Sequence, residues 1–105
     1  MEADSLPNSI EPMKASLAEI PSVSDGWATE IKWDGVRAIS FCEDGELRLQ
    51  GRRLNDITGL FPEIEPLGHQ AAAEGTVLDG EMVAFDEDGI PSFQRIQRRL
   101  RQDGE

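Results

Sequence analysis

Residues 36–53, VRAISFCEDGELRLQGRR, decide what kind of fold this chain can have. Val36 to Phe41 has the β-branched and aromatic composition of a strand, and Asp44-Gly45 is a good two-residue turn signal. The return from Glu46 has a period of two: Leu47 and Leu49 share one face, while Arg48, Gln50 and Arg52 share the other. The spacing predicts an antiparallel meander.

Upstream, residues 27–34 also alternate. Trp27, Thr29, Ile31 and Trp33 fall on one face and Ala28, Glu30, Lys32 and Asp34 on the other. A strand is expected there, with the tryptophans packed in the core, until Asp34-Gly35 interrupts it. Residues 1–21 read as an extended lead-in, because Pro7, Pro12 and Pro21 break any long helix, with Met13, Leu17 and Ile20 as its anchors. Residues 22–105 form the one domain that a chain of this length fits.

Downstream, LFPEIEPLGHQAAAEG (60–75) sets Phe61, Ile64, Leu67 and Ala71 at helical spacing, broken by Pro66 and Gly68, so a short or interrupted helix is expected. TVLDGEMVAF (76–85) is a further strand with Val77, Asp79, Glu81, Val83 and Phe85 on one side. The turn DEDG ends it; its acids lack the spacing of a calcium loop. Ser92 then offers an N-cap to FQRIQRRLR, a basic helix with Phe93, Ile96 and Leu100 as its apolar stripe. The elements add up to an α+β fold, an antiparallel β-sheet with packed helices.

The formal net charge is -11, which opposes sequence-independent binding to DNA, yet eight of the ten bases are arginines, seven of them gathered in Arg48–Arg53 and Arg95–Arg101. One cysteine excludes an internal disulfide and a zinc cluster. No apolar run approaches the roughly 20 residues of a membrane span, and the acidic start is unlike a secretory signal. The chain is expected to be soluble and cytoplasmic, without a membrane partner.

Lys32 stands out in a chain so poor in lysine. It admits two readings, a solvated strand face beside a turn, or a nucleophile. A lysine with the ordinary pKa of about 10.4 is neutral in only about one molecule in a few thousand at pH 7, so nucleophilic use needs nearby positive charge or desolvation.

The stretch KWDGVR (32–37) matches K-x-D-G-x-R, the signature of covalent nucleotidyltransferases. GRRLNDITGLFPE (51–63) resembles the ligase pattern S-R-N-x-x-D-x-T-x-x-F-P-E, and VLDGEMVAFDEDGIPSFQRIQ (77–97) resembles its D-G-E strand and following turn. In that order the three motifs resemble the adenylation domain of ATP-dependent DNA ligases, in particular the bacterial modules of multidomain end-joining ligases. The resemblance implies a nucleotidyltransferase (ATP-grasp-like) fold, ATP with Mg²⁺, and nicked double-stranded DNA as partner, in repair or recombination. It implies that Lys32 becomes a lysyl-AMP phosphoramidate from which AMP passes to a DNA 5′-phosphate. Glu30 would accept from the adenine amino group, Asp34 and Gly35 would form the turn that aims Lys32, and Arg37 would contact the ribose or phosphate side. Arg52 would sit near a phosphate, Glu81 would bind a ribose hydroxyl or help place metal, and Asp79 would support its strand; no metal ligands are assigned.

Two features depart from the family. Its Ser-Arg-Asn-Gly is Gly51-Arg52-Arg53-Leu54 here, with a base for the usual Asn and Leu for the usual turn Gly. Its later glutamate strand, paired-lysine motif and oligonucleotide-binding domain do not occur in these residues, so residues 22–105 are expected to be a partial adenylation domain, truncated at the C-terminal side, and the missing half is an expected partner. An RNA ligase or capping enzyme, or a non-catalytic remnant that binds nucleotide or a partner, are the alternatives.

Overall fold

The computed structural model describes residues 5–22, 25–71 and 75–102. Its centre is a three-stranded antiparallel sheet in the order β2-β1-β3, built from β1 (Val36–Glu43), β2 (Glu46–Gln50) and β3 (Thr76–Met82). The β1–β2 turn is made by Asp44 and Gly45, both with positive φ (55° and 77°). That combination matches the right-handed twist of a tight hairpin, as their sequence forecasts.

One face of the sheet carries the core. Ala38 and Leu49 pack with Ile57, Phe61 and Ile96, and Val36, Leu47, Met82 and Leu100 lie partly buried around them. Short 3₁₀ turns at Thr58–Leu60 and Pro62–Ile64 lead into α1 (Leu67–Ala71), so the expected helix is present in interrupted form. The second helix, α2 (Phe93–Gln102), starts where Ser92 Oγ accepts from the Arg95 N–H at 3.4 Å. It delivers Ile96 to the core, while Phe93 stays 42% exposed. Arg99 ties α2 to the 3₁₀ segment through Glu63 and the Leu60 carbonyl, and Arg95 ties it to the turn after β3 through Glu87 and the Phe85 carbonyl. That turn is organised by Asp86, whose Oδ1 accepts the N–H groups of Asp88 and Ile90.

The outer edge of β2 is closed by the loop after it. Leu49 N–H donates to Thr58 Oγ1 at 2.8 Å and Leu49 O accepts from Ile57 N–H at 2.9 Å, leaving no open edge at this point.

The second face, bearing Arg37, Ile39, Phe41, Arg48 and Gln50, is crossed by the lead-in. The Gln50 amide bonds both N–H and C=O of Ile10, Arg48 donates to the carbonyls of Pro7 and Asn8 while lying 3.9 Å over the Phe41 ring, and Glu43 accepts from Leu6 N–H. Met13, Leu17 and Ile20 do not anchor this segment; all three are exposed, and polar side chains of the sheet hold Leu6 to Ile10 instead.

Residues 27–34 differ most from expectation. They are extended but belong to no strand, and Trp27, Ile31 and Trp33 are 66%, 68% and 44% exposed rather than packed. Alternation supplies an apolar face, but a strand also needs a hydrogen-bonded neighbour and a layer to cover that face; among the described residues this segment has neither. No helix among the described residues is long and apolar enough to cross a membrane.

Candidate active site

Five stretches of chain meet in one broad open cleft at the end of the sheet, with Phe93 and Leu100 of α2 adding apolar surface to four that carry charge. The 30–37 segment brings Glu30, Lys32, Asp34, Gly35 and Arg37; the loop after β2 brings Arg52 and Arg53; β3 brings Asp79 and Glu81; and the lead-in brings Met13 and Lys14. All seven residues singled out by motif therefore line the same depression. Its charge is unlike that of the chain. Five of the ten bases (Lys14, Lys32, Arg37, Arg52, Arg53) face four of the twenty-one acids (Glu30, Asp34, Asp79, Glu81) among the described lining residues, in a chain of net charge -11. A cleft enriched in cations within an acidic body concentrates anions.

Gly35 has a steric reason to be glycine. A Cβ there would collide with the Met82 carbonyl oxygen and lie 2.8 Å from Val83 Cγ1, because the chain turns into β1 directly against the end of β3. The tight passage sets where residues 30–34 leave the sheet, and so where Lys32 stands. Lys32 Nζ donates to Asp34 Oδ1 at 3.2 Å, with the two side chains 90% and 67% exposed. Such a contact is weak and readily exchanged for another anion.

The sheet register sets the opposite wall. Arg37 lies directly across from Glu81 and diagonally from Asp79, and all three share a face. Arg37 forms a bidentate pair with Asp79 at 2.6 and 2.7 Å and donates to the Met13 carbonyl at 2.9 Å. Hydrogen bonding to Asp79 holds this guanidinium protonated beyond its ordinary range, helped by the charges of Asp79 and Glu81 and opposed by desolvation. Arg37 thus clips the lead-in to β3. Among the described residues Glu81 has no ion-pair partner, and desolvation pushes it above the usual carboxylate range; Asp79 adds to this, and Arg37 and Lys32 oppose it. A carboxylate in that condition accepts a hydroxyl proton donor readily.

The sequence reading left out Lys14 and Arg53 as cleft residues. Lys14 is the second of the two lysines, and scarcity was a signal that applied to it as well as to Lys32. Arg53 sits where the motif has a different residue, so motif matching passes over it. Among the described residues no group of three or more His, Cys, Asp or Glu side chains converges as a metal site.

A family model described as ATP dependent DNA ligase domain matches residues 8–105. Among curated proteins, the chain is 38% identical over 96 residues to the multifunctional non-homologous end joining protein LigD of Mycolicibacterium smegmatis, covering 90% of this chain and 13% of that protein. It is 39% identical over 97 residues to LigD of Pseudomonas aeruginosa, covering 92% and 11%. Among solved structures, a mycobacterial DNA ligase D complexed with ATP and MES superposes with a TM-score of 0.62 at 38% identity, covering 67% of this chain and 23% of that one. The chain thus spans a small part of the length of each relative.

Proposed function

Because the chain belongs to the ATP-dependent DNA ligase domain family, we propose that its cleft binds ATP and that Lys32 is the group that takes AMP from it. The neutral Nζ attacks the α-phosphorus, a nitrogen–phosphorus bond forms, the bond from the α-phosphorus to the bridging oxygen breaks, and pyrophosphate leaves with that oxygen. The amine's proton goes to solvent, which the exposure of Lys32 allows. The observation that carries this reading is the convergence of Glu30, Lys32, Arg52 and Glu81 on one cation-enriched cleft.

Each neighbour has a role that suits its place. Glu30 accepts from the adenine amino group, Glu81 accepts from a ribose hydroxyl, and the Asp34-Gly35 turn sets the reach of Lys32. Arg52 offers a planar fork to phosphate oxygens. Arg37 must give up Met13 or Asp79 to touch the nucleotide, so we assign it mainly to holding the cleft wall. A magnesium ion arriving with ATP would be held chiefly by phosphate oxygens, as that ion commonly is, with Glu81 a cleft carboxylate able to share it. Such an ion supplies neutralisation of phosphate charge.

In the whole ligase, the adenylate would next pass to a DNA 5′-phosphate, and a 3′-hydroxyl would displace AMP to seal the nick. We assign residues 1–105 the nucleotide step only. Incubation of the full chain with α-labelled ATP and Mg²⁺ is expected to give a covalent AMP adduct that Lys32→Ala abolishes. Equal labelling of both proteins would remove Lys32 from the role. Failure of the wild-type chain to bind ATP at all, read by calorimetry, would remove the cleft.

A further inference from the structure

The arginines of this chain divide by partner. Arg37, Arg95 and Arg99 each pair with a carboxylate, and Arg48 is engaged by two backbone carbonyls and the Phe41 ring. Arg52, Arg53, Arg98 and Arg101 have no hydrogen bond or ion pair to any described residue, although acids outnumber bases 21 to 10. Of these four, Arg98 and Arg101 do not line the cleft that Lys32 lines, and Arg52 and Arg53 do.

Their placement is built rather than incidental. They are the two central residues of a turn in which Leu54 N–H donates to the Gly51 carbonyl at 3.1 Å, and Gly51 N–H donates to the Asn55 carbonyl at 2.8 Å. The turn's base is fixed by the Asp56–Thr58–Leu49 relay and by the bridge between Gln50 and Asp56. Leu54 holds φ +68°, a region costly to a residue with a branched side chain, so the turn keeps its shape without the usual glycine. Two guanidinium groups thus project from a short, internally bonded loop. The resemblance assigns a role to the first of them only.

We propose that Arg53 is a second phosphate-binding arginine, so that Arg52 and Arg53 together grip a phosphate group at the Lys32 end of the cleft. This inference rests on the nucleotide reading of the cleft and adds a ligand to it. The chemistry recognised is a phosphate oxygen pair, met either on the polyphosphate of ATP or on the 5′-phosphate of a nicked duplex. A planar fork suits both.

The test uses the full chain and three variants. R53N installs the residue type that the family's turn accepts, R53K keeps the charge without the fork, and R98N removes one arginine from the exposed side of α2, away from the cleft. Binding of ATP, inorganic tripolyphosphate, adenosine, and nicked duplexes with a 5′-phosphate or a 5′-hydroxyl is measured by calorimetry. Loss of one charge-assisted contact predicts a roughly tenfold weakening for R53N, a smaller one for R53K and none for R98N. Weakening of ATP and tripolyphosphate with adenosine unchanged supports the proposal with the nucleotide as source. Weakening confined to the 5′-phosphorylated duplex supports it with DNA as source. Equal loss in R53N and R98N, or no loss in R53N while the wild type binds ATP, overturns it and leaves the Lys32 reading standing. A wild-type chain that binds neither ATP nor adenosine overturns the cleft reading first, and this inference with it.

Discussion

The D-x-T element of the second motif, Asp56-Ile57-Thr58, is a structural clamp, and Thr58→Val tests it. Leu49 is fully buried, and its N–H points out of the sheet into the Thr58 hydroxyl at 2.8 Å. That hydroxyl donates in turn to Asp56 Oδ1 at 2.6 Å, and the same oxygen accepts the Thr58 N–H at 2.9 Å. Valine keeps the shape and removes the relay. An unpaired buried N–H costs about 1–3 kcal/mol, so the expected loss is about 2 kcal/mol, or a melting temperature lower by roughly 10 °C in a domain of this size. Urea unfolding followed by far-ultraviolet circular dichroism is the suitable assay, because both tryptophans are exposed and report little on the core. The pH dependence supplies a second signature. Hydrogen bonds from the Thr58 hydroxyl, then from its backbone N–H, hold the Asp56 carboxylate below its ordinary range. A depressed folded value contributes stability that is fully present above the unfolded value of about 3.9 and is lost as pH falls through the folded value. The gap between wild type and Thr58→Val should therefore narrow on acidification below about pH 4. Thr58→Ser retains the hydroxyl and should recover most of the loss. A valine variant within about 0.5 kcal/mol of wild type, or a serine variant as unstable as valine, would refute the relay.

Two further substitutions probe the turns that frame the cleft. Leu54→Gly relieves a left-handed residue whose side chain is 47% exposed; against a cost of about 1–2 kcal/mol for Leu there, glycine's extra unfolded entropy takes back about 0.5–1. A rise in the urea midpoint worth up to about 1 kcal/mol is expected, and a fall would mean that the side chain contributes packing that exceeds the backbone cost. Gly35→Ala places a methyl against the Met82 carbonyl and Val83, and should lower stability by about 1–3 kcal/mol while reducing AMP adduct formation. Unchanged melting together with unchanged labelling would show that β3 can yield there.

The elements that could be read from sequence are those whose signals are local. The hairpin follows from Asp44-Gly45 and the alternation around it, the interruption before α1 from Pro66, although Gly68 lies inside α1 rather than breaking it, and α2 from Ser92 and its apolar spacing. What alternation could not disclose is how polar residues are used. Arg48 and Gln50 look like a solvent face in the sequence, yet they bind the backbone of residues 7–10 and carry the lead-in across the sheet. An anchor made of side-chain bonds to main-chain groups leaves no apolar period, so Met13, Leu17 and Ile20 drew attention that belonged to Leu6 and Ile10. The failure at residues 27–34 has the opposite cause. Their pattern is that of a strand, but pairing is a property of two segments, and one segment cannot encode its neighbour's position.

The candidate site could be named from sequence for a different reason, since motif residues point to chemistry even where their geometry is hidden. Lys32, Arg52 and Glu81 could be named without knowing that β1 lies between β2 and β3. It is this order that brings the loop after β2 and the strand β3 to the two sides of the segment entering β1. The same order explains why Arg37, a motif residue expected to face the nucleotide, is found clasped to Asp79: the register sets it across from Glu81, and the diagonal acid captures it. Among the described residues, its capture leaves Glu81 without a salt-bridge partner, and Arg52 and Arg53 line the cleft as cations without partners. Arg37 and Asp79 neutralise each other on that wall, while the loop after β2 keeps both of its positive charges to meet an anion.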